Sequence, residues 1–186
     1  MQINEITVGP VQTSCYILSR EDRQECVVID PGDEAARIRK AAGGKRITAI
    51  LLTHGHFDHI GAVRDLMDAD TRLVIHGLDA PMLSDPVLNA GLGLLRRKIT
   101  APEPTDRVKE GDELEFAGLK IKVLHTPGHT PGSVCYLIDG ELFTGDTVFD
   151  FGWGRTDLPG GNESDMAASL RRVMPLVQKM PMHAGH

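Results

Sequence analysis

The chain has 186 residues, 41% hydrophobic but only 4% aromatic, and a formal net charge of −6 with histidine neutral. That length and composition suit one domain, residues 1–186, with an aliphatic core. The negative charge argues against a nucleic-acid binder, which carries a basic face, and no apolar run reaches the roughly 18 residues of a membrane helix.

The N-terminal MQINEITVGP has neither the basic start nor the long apolar stretch of a secretory signal, so the expected location is cytoplasmic. Alternation over Ile3 to Val8 predicts a half-buried strand. Ser14 to Leu18 and Cys26 to Ile29 are short apolar runs joined by the polar SREDRQE, a hairpin pattern. IDPGDEAARIRKAAGG then gives a turn, acidic residues at a helix start and a glycine pair at its end. Ile47 to Leu52 reads as a buried strand, Gly61 to Asp68 as helix and Arg72 to Ile75 as strand.

The segment from Asp85 to Asp106 has a leucine-rich part, the basic run Arg96-Arg97-Lys98 and prolines at 102 and 104. It reads as a lid, a dimer contact or an ordinary helix with a loop. Leu119 to Leu124, Ser133 to Ile138 and Glu141 to Thr144 are strands, and Ser164 to Val177 has helical spacing in Met166, Leu170, Val173, Met174 and Val177. Strands then helices in both halves fit sheet facing sheet with helices outside. Cys15, Cys26 and Cys135 lie far apart in strand-like runs, without C-x-x-C spacing, and read as small buried hydrophobes.

The chemistry concentrates behind the Ile47 to Leu52 strand, in THGHFDH. Imidazole and carboxylate suit zinc, iron or manganese. His54 and His56 project to one side of an extended segment, and a following helical turn swings Asp58 and His59 elsewhere, so one segment can serve two adjacent metals. Further strand ends offer His129 in HTPGHTPGS, Asp146 in LFTGDTVF and His186 in MHAGH. His125 reads as a loop residue and His76 has no motif. His183 rivals His186 as a ligand.

Together VVIDPG, THGHFDH, HTPGHTPGS, FTGDTVF and the closing AGH resemble the metallo-β-lactamase-fold hydrolases over essentially the whole chain. The resemblance implies an α/β fold, an αββα sandwich of two mixed β-sheets with helices on the outer faces. It implies two divalent metal ions, zinc foremost, with iron or manganese as alternatives. His54, His56 and His129 would hold the first, Asp58, His59 and His186 the second, and Asp146 and a hydroxide would bridge them. Asp58 would also orient the hydroxide, and Asp30 would orient a ligand histidine from behind. The family's last motif is G-H-G, which selects His186 after Gly185. Members continue past that histidine, so truncation at the C-terminus is expected here.

Within the family, class B β-lactamases carry cysteine where this chain has Asp146. Nucleic-acid-processing members add an inserted domain, and flavodiiron proteins a flavodoxin. FGWGRTDLPGG resembles the G-x-G-[RK] loop of glyoxalase II-like proteins (hydroxyacylglutathione hydrolases), particularly short bacterial ones. The implied activity is hydrolysis of a small hydroxyacyl thioester, with Arg155 gripping an anionic end of the thiol moiety or else pairing with Asp157. The alternatives are a mononuclear iron persulfide dioxygenase, a lactonase and a degenerate binding module.

Overall fold

A computed structural model describes residues 1–186. Two sheets are layered face to face. The first runs β1 (Gln2–Val8), β2 (Thr13–Ser19), β3 (Glu25–Ile29), β4 (Arg46–Leu51), β5 (Arg72–His76) and β6 (Asp106–Val108), in that spatial order. Its first three strands are antiparallel and the rest parallel.

The second sheet contains β7 (Glu113–Phe116), β8 (Leu119–His125), β9 (Val134–Ile138) and β10 (Glu141–Gly145). A small hairpin, β11 (Val148–Phe149) with β12 (Gly152–Trp153), leaves it, and β13 (Met182–Ala184) returns to its edge. The spatial order is β13-β10-β9-β8-β7, with β13 parallel to β10 and the other pairs antiparallel.

Alternation of side chains explains the layering. In β2, Tyr16 and Leu18 face the second sheet, meeting Tyr136, Ile138 and Phe143, while Cys15 and Ile17 face outward into another buried cluster. That outer cluster is closed by Ile38 of α1 (Ala35–Ala41) and by Val63 and Leu66 of α3 (Val63–Leu66). Behind the second sheet, Val173 of α5 (Glu163–Val177) packs on Cys135 and Leu142. The architecture is therefore the expected α/β sandwich with helices on the outer faces. Strands covered on both sides, such as β2, β3 and β9, read as near-continuous apolar runs, whereas β7 and β8 alternate and expose Glu113, Glu115, Lys120 and Lys122 on their outer face.

Local expectations are corrected in two places. The helix expected over Gly61 to Asp68 shrinks to the single turn α3, preceded by a separate turn, α2 (Phe57–Ile60). The Ala62 amide is diverted to the Pro31 carbonyl at 2.9 Å, which interrupts the helical ladder. β6, β7 and β13 were not anticipated. Each is short, and β13 exists because β10 offers it an edge. Asp85 to Asp106 is a loop with a one-turn helix, α4 (Gly91–Leu95), one of the readings its sequence left open, and no membrane-length apolar helix occurs anywhere.

Candidate metal centre

β3, β4, β8, β10 and β13 all end at one edge of the sandwich, and the loops after them carry the polar cluster. The loops are fastened across the two sheets. The Tyr136 hydroxyl donates to the Leu52 carbonyl at 2.8 Å, and the Val134 amide donates to the Thr53 carbonyl at 2.8 Å. The Ser14 amide donates to the Gly185 carbonyl at 2.8 Å and the Tyr16 hydroxyl to the Ala184 carbonyl at 2.6 Å, fixing the last turn of chain.

Asp30, 1% exposed at the end of β3, organises the first histidine. It accepts the Thr53 amide on Oδ1 at 2.8 Å and the Thr53 hydroxyl on Oδ2 at 2.6 Å. With its hydroxyl proton committed, Thr53 Oγ1 accepts from His54 Nδ1 at 3.1 Å. That leaves the lone pair on His54 Nε2, which is buried without a partner.

The same logic sets His129. Its Nδ1 donates to the Arg155 carbonyl at 2.7 Å, so Nε2 carries a lone pair. That atom lies 2.8 Å from His56 Nδ1. Without a cation, one nitrogen must hold a proton for the other, and a cation between such rings would take both lone pairs. Burial, then the charge of neighbouring histidines, pushes His54 well below the ordinary imidazole value. Burial, then the charge of His129, brings His56 to about 3. Both rings are neutral at physiological pH, the form that ligates metal.

The other half of the cluster is charged. His59 Nδ1 lies 3.0 Å from Asp30 Oδ2, off the line a hydrogen bond needs, and its Nε2 faces Asp146 Oδ1 at 3.4 Å and Asp58 Oδ2 at 3.7 Å. His186 Nε2 lies 3.4 Å from Asp58 Oδ2 and 3.6 Å from Asp146 Oδ2. Burial works against charging His59, but Asp146, Asp30 and Asp58 outweigh it and raise the ring to about 9. Burial likewise opposes charge on His186, yet hydrogen bonding of its ring N–H to Asp146 and Asp58 raises it to about 10. Asp146 is pushed up by burial and held well below the ordinary carboxyl value by His59, His186 and His129. Asp58 is pushed up by burial and lowered by His59 and His186, with the net shift downward.

Asp146 stands between the halves, with Oδ1 toward His59 and Oδ2 toward His129 at 3.4 Å. A Cβ on Gly185 would come within 2.2 Å of Asp146 Oδ1, so only glycine lets the final segment approach.

These side chains suit a metal. His54, His56 and His129 form one group of converging ligand atoms, Asp58, His59 and His186 another, and His54, His59 and Asp146 a third linking them. His54 Nε2, His59 Nε2 and Asp146 Oδ1 are buried without hydrogen-bond partners, a costly arrangement for protein alone.

The remaining histidines lie outside the cluster. His125 stacks on His76 at 4.1 Å and donates from Nε2 to the Pro131 carbonyl at 2.9 Å. His183 reaches Glu141 at 2.8 Å. The cysteines are buried and unpaired, with burial raising Cys26 and Cys135 to about 11.

A pocket of about 350 Å³ opens over the cluster. His56, Asp58, His129, Asp146 and His186 form its floor, Val11, Phe57, Leu94, Phe149 and Leu158 its apolar wall, and Arg155 part of its rim. Leu94 comes from the Asp85 to Asp106 segment, which is thus a wall of this pocket. The Arg155 guanidinium forks onto Asp157, with both contacts at 2.7 Å. Sequence reasoning missed Thr53, the Arg155 carbonyl and Val11. Their roles depend on backbone geometry and on contacts between distant loops, and no spacing pattern advertises them.

This arrangement of folded layers and clustered ligands has counterparts. The chain matches the metallo-beta-lactamase superfamily over residues 8–180, and it belongs to that superfamily. It is 38% identical over 193 residues to a probable metallo-hydrolase, YqgX, of Bacillus subtilis, covering 100% of this chain and 90% of that protein. It is 35% identical over 182 residues to a hydroxyacylglutathione hydrolase of Aeromonas hydrophila, covering 97% of this chain but 64% of that enzyme. Among solved structures, the BLEG-1 B3 metallo-beta-lactamase superposes with a TM-score of 0.92 at 37% identity, covering 100% of this chain and 91% of that one. TTHA1623 in a di-iron-bound form gives 0.85 at 35% identity, covering 98% and 91%. ETHE1 from Myxococcus xanthus gives 0.81 at 28%, covering 100% and 76%.

Proposed function

We propose that the chain is a dinuclear metal-dependent hydrolase that cleaves a small hydroxyacyl thioester. The observation that carries this reading is the convergence of seven histidine and aspartate side chains, several with unpartnered buried ligand atoms, five of them on the floor of one pocket. His54, His56 and His129 are assigned to the first metal, Asp58, His59 and His186 to the second, and Asp146 to both. Zinc is the metal proposed; the likeness to a di-iron protein makes iron the alternative.

A pair of divalent ions held there would supply Lewis acidity and a water acidic enough to react near neutral pH. The chain's own residues do the rest. Asp58, on the pocket floor and within 3.4 Å of both the Thr13 hydroxyl and His186, orients the attacking water. Asp30 holds His54 through Thr53 and faces His59, keeping both rings aimed. The apolar wall excludes water and takes the carbon skeleton of the substrate. A thiolate leaves without an acid's help because a thiol's pKa is about 8.5. The buried cysteines are not needed as nucleophiles.

Arg155 is assigned to an anionic end of the thiol moiety, which must displace Asp157 to be gripped. Likeness to a hydroxyacylglutathione hydrolase supports the thioester, although the chain spans only 64% of that enzyme. The location proposed is the cytoplasm. The test is turnover of a lactoyl thioester by metal-loaded protein, with a β-lactam and a persulfide as competing substrates. Thioester hydrolysis supports the reading. Ring opening alone places the chain functionally with BLEG-1, and oxygen consumption with persulfide selects the mononuclear iron alternative.

A further inference from the structure

One buried carboxylate has no part in the chemistry described so far. Asp79 follows β5 and is 0% exposed, yet it lies far in sequence from every side chain assigned to metal. Its Oδ2 accepts the Gly55 amide at 3.0 Å and the Thr130 hydroxyl at 2.6 Å. Its Oδ1 accepts the Gly132 amide at 2.6 Å. Gly55 separates His54 from His56, and Thr130 follows His129. The contact is so close that a Cβ on Gly132 would come within 2.6 Å of Asp79 Oδ1. One carboxylate thus joins the two loops that bear His54, His56 and His129.

We propose that Asp79 is a positioning residue for the first metal, fixing the distance between the His54–His56 loop and His129. The proposal rests on the metal reading above. The carboxylate form matters because all three partners are donors. In asparagine, one oxygen becomes an NH₂ group. If it replaces Oδ2, it faces the Gly55 amide donor to donor; if it replaces Oδ1, it faces the Gly132 amide. Either way one loop is released while the residue's shape is kept. A donor left unpaired in a buried site is costly, so the loop shifts to relieve it.

Zinc affinity, measured by competition with a chromophoric chelator, tests this without reference to turnover. The background is His186→Ala, which breaks the second group and leaves His54, His56 and His129 as the intact set. Adding Asp79→Asn is expected to weaken zinc binding by about 10–100-fold, the range for residues that orient ligands. Ile38→Ala in the same background is the control. It empties part of the core under α1 and lowers the melting temperature without touching either loop. Its zinc affinity is expected to match that of His186→Ala. Unchanged affinity in Asp79→Asn, or an equal loss in Ile38→Ala, overturns the proposal. If Asp79→Asn does not fold, Thr130→Val removes a single donor and is measured the same way. A several-fold loss supports the proposal and none overturns it. Failure of His186→Ala itself to bind zinc would overturn the metal reading and this proposal with it.

Discussion

The two halves of the metal centre sit side by side but are built on different principles. His54, His56 and His129 are 1–3% exposed, and His54 and His129 have fixed tautomers, one through Thr53 and the other through a backbone carbonyl. Asp58, His59 and His186 form a charged set, in which carboxylates hold imidazolium rings and the His186 side chain is 26% exposed. The first half is organised before any ion arrives. The second balances its charge with protons, which an ion must displace.

Breaking the link between the halves should have the largest effect. Asp146→Ala removes the carboxylate that faces both, and is expected to cost one metal per chain and several orders of magnitude in turnover. Elemental analysis and thioester kinetics on one sample check this. Full metal content with near-normal turnover would mean that the halves do not share Asp146.

Removing one ring from each half comes next. His54→Ala should abolish tight binding at the organised half, whereas His186→Ala should lose only the weaker ion. Equal losses from both variants would erase the distinction. Zinc titration followed by calorimetry separates the two sites.

Acidity distinguishes the halves a third way. In metal-free protein His59 is raised to about 9 and His186 to about 10. A raised folded pKa contributes stability below the unfolded value of about 6.5, and that contribution disappears as pH rises through the folded value. Metal-free protein should therefore lose melting temperature between about pH 6.5 and pH 10. Zinc-loaded protein should not, and zinc binding at pH 7.5 should release protons from the charged half only. A flat metal-free profile contradicts the charge balance described here.

The smallest effect concerns the pocket rim. Arg155→Ala should raise KM for an anionic thioester by about tenfold to a hundredfold and leave kcat nearly unchanged, as loss of uniform binding does. Asp157→Asn should lower that KM by freeing the guanidinium. If both variants alter only the melting temperature, the Arg155–Asp157 pair is a brace for the loop whose carbonyl holds His129.

The sandwich and the side chains that converge at its edge were legible in the sequence for a physical reason. Doubly buried strands demand apolar runs, and strand ends expose the polar residues that follow them, so Ile47 to Leu52 announced THGHFDH. The supporting contacts were not legible. Asp79 is a single aspartate after HGL, and it acquires meaning only when the Gly55 and Gly132 amides fold onto it. The break between α2 and α3 depends on the Pro31 carbonyl, and β13 on an open edge of β10. Such features arise between segments distant in sequence, which local pattern does not encode.

The central claim is a two-metal hydrolase, and metal content measured alongside lactoyl-thioester turnover tests it most directly. The account predicts two divalent ions per chain in the active protein, with one ion and most of the activity lost in His186→Ala. A single iron per chain, unaffected by His186→Ala and accompanied by oxygen consumption with persulfide and no thioester cleavage, would contradict it.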